Sequence, residues 1–192
     1  MNSFNQKIEY NLFKKTLKLL LITITLLLST KSIAKEKVFT VGDSKLSMLY
    51  PKDWQYAYNF LSTPLTLFGP VENEMRPVIS VVNTDVTGFS FDKKKLSSNQ
   101  EEYKKGRLKW LKKNKGSFVR FSGYRVQKWN NIKEVHSIGY SYTLAKELYL
   151  EKTYFFNCNE TLFNITTLMT WDQNKKHGKE IKRILKSLNC LE

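Results

Sequence analysis

From residue 35 onward, apolar residues recur mostly at every second position, and two stretches switch to the 3.6-residue period of a helix. The densest part is residues 135–171, where three strand-like runs, 135–144, 148–157 and 161–171, are joined by Ala145-Lys146-Glu147 and by Asn157-Cys158-Asn159-Glu160. The third run is apolar on both sides, with Phe163, Ile165, Met169 and Trp171 on one and Leu162 and Leu168 on the other. A strand with two apolar faces is covered on both, so this meander is predicted to be the central layer of a sheet with covering elements above and below.

Upstream, residues 38–41 and 45–50 alternate around Gly42-Asp43-Ser44 and predict a hairpin that Pro51 terminates. Residues 54–60 carry Trp54, Tyr56, Tyr58 and Phe60 at every second position before running into Ser62-Thr63-Pro64 and Gly69-Pro70, which fits a strand or a covering loop. Residues 77–84 (PVISVVNT) are β-branched on both sides, as in a strand buried on both faces. Residues 118–129 predict one further strand, and Asn130-Asn131 a turn into the meander.

The first helical stretch runs from Lys93 to about Asn114, with Asp92 placed as N-cap and Gly116 as its stop. At 100° per residue Leu96, Tyr103, Leu108, Trp110 and Leu111 share one side, and Lys94, Lys95, Lys105, Lys109, Lys112 and Lys113 the other. The second begins after Asp172, again a candidate N-cap, and places Ile181, Ile184, Leu185 and Leu188 at i, i+3, i+4 and i+7, with Gly178 weakening its first turns.

Composition adds a compartment. Lys7, Lys14, Lys15 and Lys18 precede the largely apolar run 19–28, and Ser32-Ile33-Ala34 follows with small residues where a signal peptidase reads. Residues 1–34 are therefore expected to be a cleavable secretory signal, and 35–192 one exported domain, periplasmic or secreted; a retained anchor is the alternative, although a span needs about 20 apolar residues. Removing five Lys and one Glu with that segment leaves 27 basic and 16 acidic residues, a net +11, of which the stretch 92–115 alone supplies +7.

Two cysteines occur, Cys158 and Cys190, both in the exported part. Ten strand residues travel about 33 Å one way and a helix of about 17 residues about 25 Å back, which returns Cys190 to the neighbourhood of Cys158. A disulfide is expected, pinning the helix end to the meander; two separate buried thiols are the alternative.

Leu46-Ser47-Met48-Leu49-Tyr50-Pro51-Lys52-Asp53-Trp54, a strand ending in Pro with Trp three residues on, resembles the opening of the PsbP-like family. The Pro-led strand from Pro77 ahead of a long helix, and a last helix closing on Ile181, Ile184, Leu185 and Ser187, follow in the family's order. The family includes a photosystem II lumenal subunit, a nuclear Ran-binding factor and many exported bacterial proteins, and its members generally act by binding. The resemblance implies an α+β fold, a three-layer α/β/α sandwich around a central antiparallel sheet with the C-terminal helix packed on it. The matched positions keep the fold, and no functional residue is carried over.

Catalytic chemistry has little to stand on. His136 and His177 have no His or Cys partner at metal-ligand spacing, and there is no G-x-S-x-G, phosphate-cradling loop or H-E-x-x-H. No cofactor or metal is expected. The expected function is that of an exported, non-enzymatic binding or accessory protein of the cell envelope, a monomer, engaging a protein partner or an anionic lipid or polyanion through the lysine side of the first helix. The bland reading of that side is a solvated surface. Nucleic acid is not expected as a partner, because the chain carries an export signal and no base-reading motif. Tyr56, Tyr58 and Phe60 are candidates for a partner lip or simply a cover for the sheet. The alternative function is an envelope hydrolase assembled from distant residues, whose sign would be a cleft holding a carboxylate or Ser beside His136.

Overall fold

A computed structural model describes residues 34–87 and 92–191, so the expected export signal lies outside the described residues. Among the described residues the elements follow in the order β1 (Lys35–Val41), β2 (Ser44–Tyr50), β3 (Gln55–Phe60), β4 (Thr63–Phe68), β5 (Val78–Thr87), α1 (Lys93–Lys113), β6 (Ser117–Phe121), β7 (Arg125–Trp129), β8 (Ile132–Leu144), β9 (Glu147–Cys158), β10 (Thr161–Thr170), α2 (Trp171–Lys186) and β11 (Asn189–Leu191). The main sheet is antiparallel in the order β3-β4-β5-β10-β9-β8-β6, with β7 pairing the same strand β8 beyond β6. The meander β8-β9-β10 is thus its centre, as the two-sided pattern predicts.

One face of this sheet carries the larger core. Phe156, Phe163, Ile165 and Met169 meet Ile181, Ile184, Leu185 and Leu188 of α2, and Phe39, Leu46 and Met48 of the first hairpin close the same side. The hairpin does not extend the main sheet. It forms a second, three-stranded sheet β1-β2-β11 beside α2, so this outer layer is part helix and part sheet. The opposite face is covered by α1 over Leu111, Tyr140 and Tyr142. The fold is therefore the expected α+β sandwich of three layers, with the C-terminal helix on the sheet.

The Pro51–Trp54 motif has a clear physical job. Trp54 is buried, its backbone N–H donates to the Pro51 carbonyl (3.2 Å), and its indole N–H donates to Glu180 Oε2 of α2 (2.9 Å), locking the turn after β2 onto the helix.

Several local expectations change. Helix α2 starts two residues early: Thr170 is its N-cap, in a capping box with Gln173, and Asp172 lies in the first turn. Trp171 consequently leaves the strand and stands 45% exposed. Segment 118–129 is two strands, interrupted at Gly123, whose φ of +67° bends the chain. Helix α1 ends with Lys115 in the left-handed region (φ 56°), while the Gly116 N–H returns to the Leu111 carbonyl (2.9 Å). Gly116 is small because a Cβ there would lie 2.8 Å from the Thr143 carbonyl oxygen. Among the described side chains of β5, the fully buried ones are Ile79 and Val81, on one side. Strand β4 was hidden in sequence by Pro64, which stands near its start.

Both meander turns are two-residue loops with positive φ at each central residue, Ala145 (50°) with Lys146 (71°) and Asn159 (47°) with Glu160 (67°). That backbone matches strand twist but is costly for residues with a Cβ. Replacing Lys146 with Gly relieves the strain against a more flexible unfolded chain, for a net gain of about 0.5 kcal/mol. A rise in the urea midpoint at constant slope is the expected observation, and an unchanged or lower midpoint the contrary one.

Candidate functional site

Helix α1 sits on its face of the sheet through a stripe that mixes aromatic, apolar and polar groups. Tyr103 and Trp110 stand on the sheet side as expected, against Tyr140 and Tyr142, yet stay 37% and 38% exposed, Leu108 is 41% exposed, and Leu111 is fully buried. Arg107 reaches inward beside them. Its guanidinium lies 4.5 Å from the Tyr140 ring centroid and 4.8 Å from that of Trp110, and it pairs with the Glu151 carboxylate from the centre of β9. The Tyr140 hydroxyl also donates to Glu151, and the Tyr142 hydroxyl approaches its other oxygen at 3.4 Å. Burial pushes the Glu151 carboxyl above its usual range, with Arg107 pulling the other way, and burial followed by the Glu151 charge pushes the Tyr142 phenol up to about 12. Lys105, Lys109, Lys112 and Lys113 are exposed on the outer side, whereas the side chains of Lys94 and Lys95 lie outside the described residues.

On the opposite face, a cavity of about 670 Å³ opens between α2 and the strands β7, β8 and β9. Trp129, Tyr154, Met169 and Leu185 form its floor, and Trp171 stands at its rim. Arg120, Arg125, Lys152, Lys182 and Lys186 also line it. Among the described residues around it, the one acidic residue is Glu151, whose carboxylate is engaged with Arg107 beneath α1. Two glycines shape the space. A Cβ on Gly139 would come 3.2 Å from Lys152 Cγ, so its absence lets the lysine stem lie on the sheet, and Gly178 leaves the helix wall of the cavity without a side chain. The Lys152 ammonium sits 4.9 Å from the Tyr154 ring centroid. Burial, and after it the like charges of Arg125 and Lys182, hold it below the ordinary lysine range.

No family model matches the chain, and no curated protein matches it in sequence. Its three-dimensional arrangement does have counterparts. The solution structure of cyanobacterial PsbP (CyanoP) from Synechocystis sp. PCC 6803 superposes with a TM-score of 0.58 over 85% of this chain and 96% of that one, at 8% identity. The fold is PsbP-like. The crystal structure of LpqN, involved in cell envelope biogenesis of Mycobacterium tuberculosis, superposes with a TM-score of 0.54 over 82% of this chain and 91% of that one, at 17% identity.

Within this PsbP-like frame the remaining candidates fall at separate places. Tyr56, Tyr58 and Phe60 lie on β3, the edge strand, and are 38%, 46% and 44% exposed. Tyr56 already has partners: it meets Phe39, Tyr50 and Tyr58 edge-on, and the Lys37 ammonium sits 3.9 Å from its ring centroid. His136 is wholly buried, stacked on Tyr124, hydrogen-bonded to the Tyr124 hydroxyl, with Glu134 Oε1 at 3.0 Å from its Nε2. A carboxylate does stand beside His136, but the ring is 0% exposed. The neighbouring Ser137 points to the other face of the sheet, as strand alternation requires. His177 lies on α2 near Glu72 of the β4–β5 loop, 3.4 Å away. Among the described residues, no helix is long and apolar enough to cross a membrane.

The sequence reading singled out the lysine helix and the aromatic strand but not the cavity. Its cations come from β6, β7, β9 and α2, separated by as many as 66 positions, so no local spacing betrays them. The available signal was glycine, at Gly139 within a strand and Gly178 within a helix, where neither belongs without a packing reason.

Proposed function

We propose that this chain is an exported, monomeric, non-enzymatic accessory protein of the cell envelope that docks on an anionic lipid surface through the outer side of α1. The observation that carries the reading is the exposure of Lys105, Lys109, Lys112 and Lys113 together on the outer side of one helix, with Leu108 exposed beside them. Cations for headgroups beside an apolar side chain for the interface are the makings of an interfacial helix. The PsbP-like fold is consistent with a role in binding, and LpqN, which shares it, is involved in cell envelope biogenesis. The expected signal at residues 1–34 and the Cys158–Cys190 bridge both suit an oxidising compartment outside the cytoplasm.

Each lysine near such a surface contributes up to about 1 kcal/mol, so changing Lys105, Lys109, Lys112 and Lys113 together to Gln is expected to weaken partitioning roughly 100-fold or more at low salt. Co-sedimentation of the mature protein with phosphatidylglycerol vesicles measures this, and raising ionic strength releases the wild type because the attraction decays within a Debye length. Binding that ignores both salt and the four substitutions overturns the lipid reading. Binding to cells but not to lipid vesicles points instead to an acidic protein partner.

A further inference from the structure

We propose that the cavity between α2 and strands β7–β9 is a binding site for a small anionic amphiphile, a single-chain apolar body with a phosphate or carboxylate head. Its volume of about 670 Å³ lies within the range of small-molecule sites. Three independent observations point to the ligand's chemistry.

The first is charge. Arg125, Lys152 and Lys182 converge on one space, and the only carboxylate among the described lining residues turns to the other face of the sheet. Burying Lys152 in company with two like charges is unfavourable for the empty protein, and an anion seated among them relieves it. The second is a hydroxyl. Ser137 is 1% exposed, lines the cavity, and its Oγ has no hydrogen-bond partner. Buried polar groups are as a rule satisfied, and an oxyanion in the cavity gives this one an acceptor. The third is the floor. Trp129, Tyr154, Met169 and Leu185 present rings and aliphatic surface below the ring of cations, with Trp171 at the rim, which suits an apolar body rather than a bare ion. Burial pushes the Tyr154 phenol up to about 12, so it remains neutral and adds no competing anion.

This site is separate from the outer side of α1, which lies across the sheet, and the two are distinguishable by experiment. Isothermal titration of the mature protein with dodecyl phosphate and with dodecanoate, both below their micelle concentrations, is expected to give saturable one-to-one binding. Neutral dodecyl maltoside and inorganic phosphate, each lacking one half of the chemistry, are expected to bind at least tenfold more weakly. Lys182→Gln, on the exposed surface of α2 where folding is not at stake, is expected to weaken dodecyl phosphate at least fivefold, and Lys152→Gln and Ser137→Ala likewise. The four α1 Lys→Gln changes are expected to leave this affinity within twofold. Equal binding of the neutral detergent, or an affinity unmoved by Lys182→Gln and Lys152→Gln, overturns the proposal.

Discussion

Replacing Arg107 with Leu is expected to destabilise the domain by about 3 kcal/mol at pH 7, the scale seen when one partner of a buried ion pair is removed. The loss arises from what remains. Glu151 is held at the centre of β9 with its side chain 11% exposed, and without Arg107 its charge has only the Tyr140 and Tyr142 hydroxyls for company. Its carboxyl is already above the usual range through burial, and Arg107 is the main influence pulling it back, so the substitution raises it further. A folded-state carboxyl raised above its unfolded value binds its proton more tightly in the folded protein. In the variant, stability therefore falls as pH rises from the unfolded value of about 4.5 through the folded one. Below that window Glu151 is neutral in both states, and the residual loss is the stacking of Arg107 on Trp110 and Tyr140. Urea titrations at pH 4 and pH 7 measure the difference, and adding Glu151→Gln is expected to recover most of the loss at pH 7. A cost that is the same at both pH values, or that Glu151→Gln does not repair, contradicts this account. Hydrogen exchange in α1 is expected to accelerate first, since Arg107 ties that helix to the central strand β9.

The second large effect concerns the bridge. Cys158 and Cys190 are bonded, with Cα atoms 5.6 Å apart, closing a loop of 32 residues. Changing both to Ala is expected to cost about 3 to 4 kcal/mol in the chain-entropy account. The structural consequence differs from the sequence expectation, because Cys190 does not sit at the helix end. It lies in β11, three residues that pair with β2, so the bridge ties the central meander to the small second sheet. The meander's turns assist: Asn131 exchanges hydrogen bonds with the Cys190 backbone (3.1 and 3.3 Å), and the Asn159 amide donates to the Leu191 carbonyl (2.9 Å). With the bridge removed, β11 is expected to detach before α2 does, since α2 keeps Ile181, Ile184 and Leu185 in the core. A calorimetric comparison of the double variant with the reduced wild type checks both the size of the loss and its cause. Agreement between them supports the bridge as the source, and a loss below 1 kcal/mol in either removes it.

Together these two experiments probe the two covers of the sheet. The larger core under α2 is apolar, cross-linked and continuous with the first hairpin, whereas α1 is held by the smaller cluster around Leu111 and by a paired arginine stacked over Tyr140 and Tyr142. The two proposed roles, surface contact through α1 and ligand binding in the cavity, fall on opposite faces of the sheet. The vesicle and amphiphile titrations address those roles separately.

The sequence by itself determined the elements whose signal is local. Period-two alternation marked the meander, the i, i+3, i+4, i+7 spacing of Ile181, Ile184, Leu185 and Leu188 marked the last helix, and the two lone cysteines marked each other. The Pro51–Trp54 motif was legible as a fold signature, although its contact with Glu180 is a matter of tertiary packing. What only the tertiary structure decided depends on groups brought together from far apart. The helical wheel set Tyr103, Trp110 and Leu111 on the side that does face the sheet, where they meet Tyr140 and Tyr142, but it held no sign that Arg107 reaches in beside them to Glu151. Likewise the cavity is a property of two glycines and of cations from four elements, and a one-dimensional pattern holds no record of where those elements converge.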